Sequence, residues 1–241
     1  MSYDGAPFCG WAAQAGLRTI QGELEAGLER ILSRRTGLTV AGRTDAGVHA
    51  WSQVASFEAD PPLPSDLRRR LDAVTPREIA VRSVEQARPG FDARRDARSR
   101  TYCYRVLAQS VGDPFERGRA LFWPYGLDRE ALDACAAAAL GRHDFTAFTP
   151  TQTAHVHFRR EVIRCEWVEG SGLGSGEILE LWVQADAFLR SMVRILVGTM
   201  LEIGAGRRPP ADFEALLEGA PRRTAGETAP AHGLYFARVT Y

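Results

Sequence analysis

The sequence contains no lysine and no asparagine, so all 30 of its basic side chains are arginine. Without lysine the chain cannot be a Schiff-base or pyridoxal enzyme, and it cannot use the lysine of a phosphate-binding loop or of a kinase. Without asparagine it has no N-linked glycosylation site. Lysine and asparagine codons are rich in A, so a GC-rich genome explains both absences, and the chemical exclusions hold in either case.

The net charge excludes a uniformly basic surface, and the cysteine spacing is not that of a secreted, disulfide-bonded protein. The 30 arginines face 30 acidic residues, so any nucleic-acid site must be a local patch. The four cysteines form no C-x-x-C pair, which predicts free thiols in a reducing compartment. The N-terminus has no signal-peptide pattern, and no apolar run approaches about 18 residues. We therefore expect a cytoplasmic protein that does not contact a membrane.

Hydrophobic periodicity predicts the order strand, helix, strands, then helix, strands, helices and a final strand. The predicted helices cover 20–32 (with Thr19 as N-cap), 64–73, 128–141, 188–205 and 211–218. The predicted strands cover 48–58, 79–85, 100–108, 158–169, 177–186 and 232–241. The glycine-rich stretch 170–176 is interpreted as a hairpin connection, because a phosphate loop requires a strand before it and a helix after it. Segregated runs indicate an α+β fold with antiparallel sheet, and a seam near 109–127 divides it into subdomains 1–108 and 109–241.

The segment TVAGRTDAGVHA (39–50) carries the first candidate for chemistry. Gly42 and Gly47 bracket Arg43, Thr44 and Asp45 in a predicted tight turn ahead of a strand. Such glycines permit positive φ and a close approach of the backbone to a ligand. Asp45 is a candidate nucleophile or base, but spacing alone favours a turn-forming role, because aspartate readily satisfies turn backbone.

The apolar stretch 186–200 contains a second candidate. If it is helical, Arg190 and Arg194 share a face, and Asp186 lies one turn before Arg190 and can compensate its charge. Arg194 has no acidic residue three or four positions away. A cation on a buried helix requires a carboxylate or phosphate partner, or its burial costs several kcal/mol. The alternative is a side chain that extends to the surface.

A third candidate is a basic segment between residues 88 and 105, where six arginines and two aspartates give a local charge of +4. The segment leads into Tyr102 and Tyr104 on a predicted strand. Arginine contacts to phosphate beside a stacking ring are typical of proteins that bind extruded RNA bases. The alternative is a solvated charged face above a core tyrosine.

Histidine and serine motifs favour neither a metal site nor a serine hydrolase. His155 and His157 would share one face of a strand, either as a surface pair or as zinc ligands. The surface pair is favoured because there is no H-E-x-x-H pattern and no cysteine at ligand spacing. No G-x-S-x-G elbow is present.

Together these segments resemble the TruA family of tRNA pseudouridine synthases. The resemblance rests on YDGAPFCGW (3–11), AGRTDAGVHA (41–50), FDARRDARSRTYCYRV (91–106), FLRSMVRILVGTM (188–200) and TAPAHGLYFARVTY (228–241). They follow the family's order and span nearly the whole chain, and AGRTDAGVHA is highly specific. Two features depart from the family: only two residues precede YDG, so we expect a shortened edge strand or a late start, and LDAVTP (71–76) lacks a frequent asparagine.

The resemblance implies an α+β fold of two similar subdomains that share a central, mainly antiparallel sheet flanked by helices, with a catalytic cleft across the sheet. It also implies a homodimer, without cofactor or metal, that isomerises uridines 38, 39 and 40 of the tRNA anticodon stem-loop. Asp45 matches the catalytic aspartate, and Arg43 matches the arginine that helps to extrude the base. Tyr102 matches the tyrosine that packs on the uracil and is proposed to handle its C5 proton, and Arg194 the arginine that pairs with the aspartate. The competing hypotheses are a non-catalytic RNA-binding module and a carboxylate-nucleophile hydrolase.

Overall fold

The computed structural model describes residues 1–174 and 176–241. The chain packs as two compact units, one formed by Met1–Arg98 with Tyr235–Tyr241 and the other by Ser99–Leu234. This division by packing differs from the boundary between residues 108 and 109, and the predicted subdomains stay a prediction.

The described residues form five α-helices and eleven strands, which confirms the α+β composition. The helices are α1 (Ile20–Leu32), α2 (Leu67–Val74), α3 (Arg129–Ala138), α4 (Met192–Gly204) and α5 (Ala211–Leu216). The strands are β1 (Ser2–Tyr3), β2 (Thr39–Val40), β3 (His49–Ala50), β4 (Ala55–Ser56), β5 (Ile79–Ala80), β6 (Ser99–Leu107), β7 (Leu121–Phe122), β8 (Gly141–Asp144), β9 (Arg159–Ser171), β10 (Glu177–Ala185) and β11 (Leu234–Thr240).

In the first unit the strands are short. β1 pairs antiparallel with β5 and with β3, and β3 runs parallel to β11. β2 and β4 form a separate antiparallel pair. The prediction of one continuous strand over 48–58 is wrong, because the chain changes hydrogen-bond partners after Ala50. The N–H of Gln53 donates to Met1 O, and the carbonyl of Val54 accepts the N–H of Ala41. The strand predicted over 79–85 is shorter than expected, at Ile79–Ala80.

Helix α1 begins and ends as predicted and packs on α2. Thr19 is extended, and its hydroxyl accepts the N–H of Gly22 at 3.2 Å. A β carbon at Gly27 would lie 3.0 Å from Leu71 Cδ1, so glycine lets the two helices approach closely. The buried face of α1 consists of Ile20, Leu24, Gly27 and Leu28.

The second unit contains a longer ladder. β6 pairs with β10, β10 with β9 and β9 with β8, all antiparallel, and β7 runs parallel to β6. The mainly antiparallel sheet is therefore confirmed. β9 and β10 pair across the connection predicted as a hairpin, of which Ser175 lies outside the described residues.

Arg105 is a buried cation inside the second unit, 7% exposed. Its guanidinium pairs with Glu116 at 2.8 Å and with Glu180 at 3.2 Å, and it donates to Ser171 O at 2.9 Å. Two carboxylates compensate its charge and its desolvation. The prediction that Arg105 belongs to a basic surface is therefore wrong.

Helix α4 begins at Met192, one turn later than predicted. Ser191, directly before the helix, adopts a left-handed conformation with φ 57°, so the helix does not extend to the residues before it. Arg190 therefore precedes the helix and does not share a helical face with Arg194. The predicted compensation by Asp186 is also wrong, since that carboxylate accepts the N–H of Glu161 at 3.1 Å.

The interior of the second unit depends on one close approach to α4. Ten of the 13 residues of α4 are buried, so the helix is covered nearly all round. At Gly198 a β carbon would lie 1.8 Å from the carbonyl oxygen of Glu227, so only glycine allows the segment 226–229 to lie against the helix. The N–H of Ala229 then donates to Arg194 O at 3.0 Å.

Two further predictions concern the cysteines and membrane segments. All four cysteines are free thiols, as predicted, with Cys9 exposed and the other three buried. Burial raises the pKa of Cys135 to about 11 and that of Cys165 to about 12, so these buried thiols stay protonated at neutral pH.

Within residues 1–174 and 176–241, no helix has the length and apolar character needed to cross a membrane.

Gly198→Ala is expected to destabilise the second unit. The new methyl group overlaps the Glu227 carbonyl, so the segment 226–229 must move away, at a cost of about 1–3 kcal/mol or more. Thermal unfolding followed by circular dichroism should show a Tm lower by about 3–10 °C. Gly126→Ala is the control, because a β carbon there meets nothing within 4 Å. Equal Tm values for the two variants would contradict the importance of this contact.

Candidate active site

Asp45 lies in a tight turn directly before β3, in the first unit. Its side chain is partly exposed, and the neighbouring Arg43 is exposed. The carbonyl of Asp45 accepts the N–H of Val48 at 3.2 Å, and Gly47 has φ 78°. The predicted turn with a glycine at positive φ is therefore present, and it carries a partly exposed aspartate and an exposed arginine.

The segment Phe8–Trp11 supports this turn from beneath. Gly10 has φ 88°, and a β carbon there would lie 2.9 Å from the carbonyl oxygen of Thr44. The same oxygen accepts the N–H of Trp11 at 3.0 Å. The glycine of the YDGAPFCGW stretch therefore allows one backbone to pack directly under the other.

A buried polar network holds the backbone on both sides of Arg43. The hydroxyls of Tyr3 and Thr44 share a hydrogen bond of 2.9 Å. The Gln53 amide donates to Tyr3 Oη at 3.3 Å and to the carbonyl of Gly42 at 2.9 Å. Burial raises the pKa of Tyr3 to about 12, although its hydrogen bonds with Gln53 and Thr44 oppose that rise, so the phenol is neutral.

Sequence reasoning did not identify Tyr3 or Gln53. Tyr3 lies in the quoted YDGAPFCGW stretch and Gln53 in a segment predicted as one strand, but no local spacing joins residues 50 positions apart. Their role follows from the return of the chain to β1.

Tyr102 lies on β6 in the second unit, opposite Val183 of β10. It is 8% exposed, and its ring meets the edge of Phe188 at a centroid distance of 4.9 Å and an interplanar angle of 80°. Such an edge-to-face contact restrains the ring. Phe188 is a further residue near this site to which sequence reasoning assigned no role.

Tyr104, two residues further along β6, has a structural environment. It is fully buried, and its hydroxyl donates to the carbonyl of Pro230 at 2.8 Å. Burial raises its pKa well above the ordinary value. Of the two tyrosines that the sequence placed beside the basic segment, Tyr102 is therefore the one that retains some exposed surface.

Arg194 lies in the first turn of α4. Its Nε donates to the carbonyl of Ala229 at 2.7 Å, while its own carbonyl accepts the N–H of Ala229 at 3.0 Å. These two hydrogen bonds hold Arg194 against the segment 226–229, which packs on α4 at Gly198. Nearby His232 has a lowered pKa, mainly through burial; the charge of Arg194 lowers it further, while a hydrogen bond with the Ala120 backbone opposes the shift.

The four predicted site residues fall in the two units. Asp45 and Arg43 share one turn of the first unit, and Tyr102 and Arg194 belong to the second. The pairing of Asp45 with Arg194 and the cleft across the sheet stay predictions.

The basic segment is partly neutralised by its own aspartates. Arg88 pairs with Asp96 at 2.9 Å, and Arg95 with Asp92 at 3.4 Å. The local charge of +4 already counts these aspartates, so only the buried Arg105 lowers it further, to +3 (five arginines and two aspartates). These are exposed pairs, which contribute little to stability.

The histidine pair is not on a strand. His155 and His157 precede β9, which begins at Arg159, so the prediction of a shared strand face is wrong. His155 Nε2 accepts the N–H of Arg190 at 3.3 Å. Among the residues that the structure describes, no group of three or more His, Cys, Asp and Glu side chains is arranged to hold a metal ion.

Comparison with known proteins gives consistent results along the chain. The profile of a family described as tRNA pseudouridine synthase matches residues 135–241. A tRNA pseudouridine synthase A of Frankia casuarinae is 43% identical, over 100% of this chain and 87% of the relative. Proteins with the same description from Geobacillus kaustophilus and Thermus thermophilus are 40% and 39% identical, over 100% and 99% of this chain and 92% and 94% of the relatives. The chain therefore belongs to the tRNA pseudouridine synthase A family.

Proposed function

We propose that this chain isomerises uridines 38, 39 and 40 of the tRNA anticodon stem-loop to pseudouridine, with Asp45 as the nucleophile. The observation that carries the proposal is the glycine-bounded turn that presents Asp45 beside Arg43, in a chain whose relatives are tRNA pseudouridine synthases. We expect a homodimer that binds tRNA in the cytoplasm. The reaction conserves all atoms and electrons of the nucleotide, so it calls for no cofactor.

The first step is extrusion of the target uridine from the stem-loop. Unstacking and unpairing cost a few kcal/mol, which contacts with the flipped nucleotide must offset. Arg43 is exposed beside Asp45 and is suited to the space that the base leaves. The ring of Tyr102, restrained by Phe188, packs on the uracil.

The chemical step requires an ionised Asp45. A guanidinium close to a carboxylate favours its charged form, and this is the role of Arg194 in the proposal. The N1–C1′ bond breaks, the uracil rotates, and C5 bonds to C1′. The C5 proton then leaves to Tyr102 Oη or to a water, and N1 takes up a proton from solvent, so the product has the composition of uridine. Asp45 acts either by adding to C6 of the base or by assisting a glycal route through the sugar, and both routes end in the same product.

Asp45→Asn is expected to abolish catalysis and retain tRNA binding. The amide has nearly the same shape as the carboxylate but is a poor nucleophile, so release of tritium from tRNA that carries 5-tritiated uridine should fall about a thousandfold or more. The Kd for the tRNA should change far less. Asp60→Asn, at a side chain that is 90% exposed in the same unit, is the matched control and should release tritium at the wild-type rate.

Three outcomes would contradict the proposal. Full tritium release by Asp45→Asn would exclude Asp45 as the nucleophile. Binding of tRNA by the wild type without any tritium release would favour the non-catalytic RNA-binding module. Turnover of a small substrate without RNA would favour a hydrolase.

Tyr102→Phe is expected to separate packing from proton transfer. The ring and its contact with Phe188 remain, so KM should stay near the wild-type value. Loss of a positioned general base lowers kcat by about a hundredfold. Unchanged kcat would assign the C5 proton to a water and leave Tyr102 with a packing role.

A further inference from the structure

The segment that joins β10 to α4 is fixed by hydrogen bonds to the backbone of Arg190. Thr149 Oγ1 donates to the carbonyl of Arg190 at 3.2 Å, and the N–H of Arg190 donates to His155 Nε2 at 3.3 Å. Both backbone groups of Arg190 are thus bound by the loop that precedes β9. A loop that binds both sides of one peptide position fixes that position.

The backbone beside Arg190 is also in a costly conformation. Ser191 is one of two non-glycine residues with positive φ among those the structure describes, at 57°. A non-glycine residue in this region is strained and persists only where the surrounding structure imposes the conformation. This turn separates Arg190 from α4, so its side chain is not carried into the apolar packing of the helix.

Arg190 is exposed, and its side chain makes no ion pair with any described residue. In contrast, the nearest acidic side chain in the sequence, Asp186, uses its carboxylate to accept backbone N–H groups of Glu161 and Ala187. A guanidinium with a fixed backbone and no carboxylate partner is suited to a planar anion from outside the chain.

The position of Arg190 relative to Tyr102 indicates which anion. Phe188 contacts the Tyr102 ring, and two residues span at most about 7 Å, so the Arg190 backbone lies close to the base-packing tyrosine within the same unit. The carbonyl of Asp186 also accepts from the Arg100 guanidinium at 2.9 Å, which adds a second cation to this end of the ladder. A nucleotide whose base packs on Tyr102 places its flanking phosphodiesters in this neighbourhood.

We propose that Arg190 is a further substrate-binding residue that contacts a phosphodiester of the tRNA strand next to the target uridine, and that Thr149 and His155 position it. The inference rests on the proposed function. Contacts to phosphate fix the register of a nucleic acid on a protein without reading its sequence, so Arg190 contributes to placing the uridine and not to choosing the base.

Arg190→Ala is expected to weaken binding of an unmodified tRNA transcript about five- to tenfold at 0.1 M salt. Loss of one phosphate contact should also reduce the slope of log K against log salt by about 0.7–0.9. Arg190→Lys keeps the charge and should restore the slope, with a partial recovery of affinity. Fluorescence anisotropy at four or five salt concentrations measures both quantities.

Arg142→Ala is the matched control, since Arg142 is an exposed arginine on β8 of the same unit with no ion pair among the described residues. It should leave the affinity and the slope near the wild-type values. An Arg190→Ala variant with wild-type affinity and slope would overturn the inference, and so would an equal effect of Arg142→Ala.

The positioning role is tested at the loop. His155→Ala removes the acceptor for the Arg190 N–H and should weaken tRNA binding two- to threefold with the salt slope unchanged, because no phosphate contact is lost. His155→Gln keeps a side-chain acceptor and should restore the affinity. Equal affinities of the alanine variant and the wild type would remove His155 from the proposal.

Tritium release by the wild type on the same transcript separates this inference from the proposed function. If the wild type releases tritium and Arg190→Ala binds like the wild type, only the role of Arg190 fails. If the wild type binds tRNA and releases no tritium, the catalytic proposal fails while the binding result for Arg190 still stands.

Discussion

The close approach of residues 226–229 to α4 is the contact on which the second unit depends. At Gly198 the Glu227 carbonyl occupies the place of a side chain, so no other residue type allows this packing. The contact brings Ala229 to both backbone and side chain of Arg194. One residue later, the Pro230 carbonyl accepts from Tyr104. Because Gly198 has no β carbon, one segment contacts the buried helix α4, the arginine expected at the active site and, through Pro230, strand β6.

The arginines of this chain differ in the partners that hold them. Arg105 is buried between Glu116 and Glu180, and this arrangement cancels its charge and makes it part of the interior. Arg194 Nε donates to the backbone carbonyl of Ala229, and this hydrogen bond orients the guanidinium. Arg190 is held through its backbone alone, and its guanidinium is exposed. In a chain without lysine, arginine thus serves both the interior and the surface proposed to bind RNA, and the type of partner distinguishes the two uses.

Local patterns were sufficient for several elements. The apolar spacing behind Thr19 predicted α1 with its cap, because both signals act within a few residues. The paired glycines predicted the turn at Asp45 for the same reason. Predictions failed where the surrounding structure decides the outcome. The strand expected over 48–58 breaks because Gln53 bonds to Met1 and Val54 bonds to Ala41. Helix α4 starts late because the backbone turns at Ser191.

The sequence by itself determined the chemical types available, the α+β class and, through its resemblance to a family, the four residues expected to act. These depend on composition, on short periodicities and on motifs that are contiguous in the chain. Only the tertiary structure decided which arginines are neutralised, which of Tyr102 and Tyr104 retains exposed surface, and that Tyr3 and Gln53 hold the turn of Asp45. The physical reason is that burial and hydrogen-bond partners depend on segments that folding brings together, and a short stretch of sequence does not specify them.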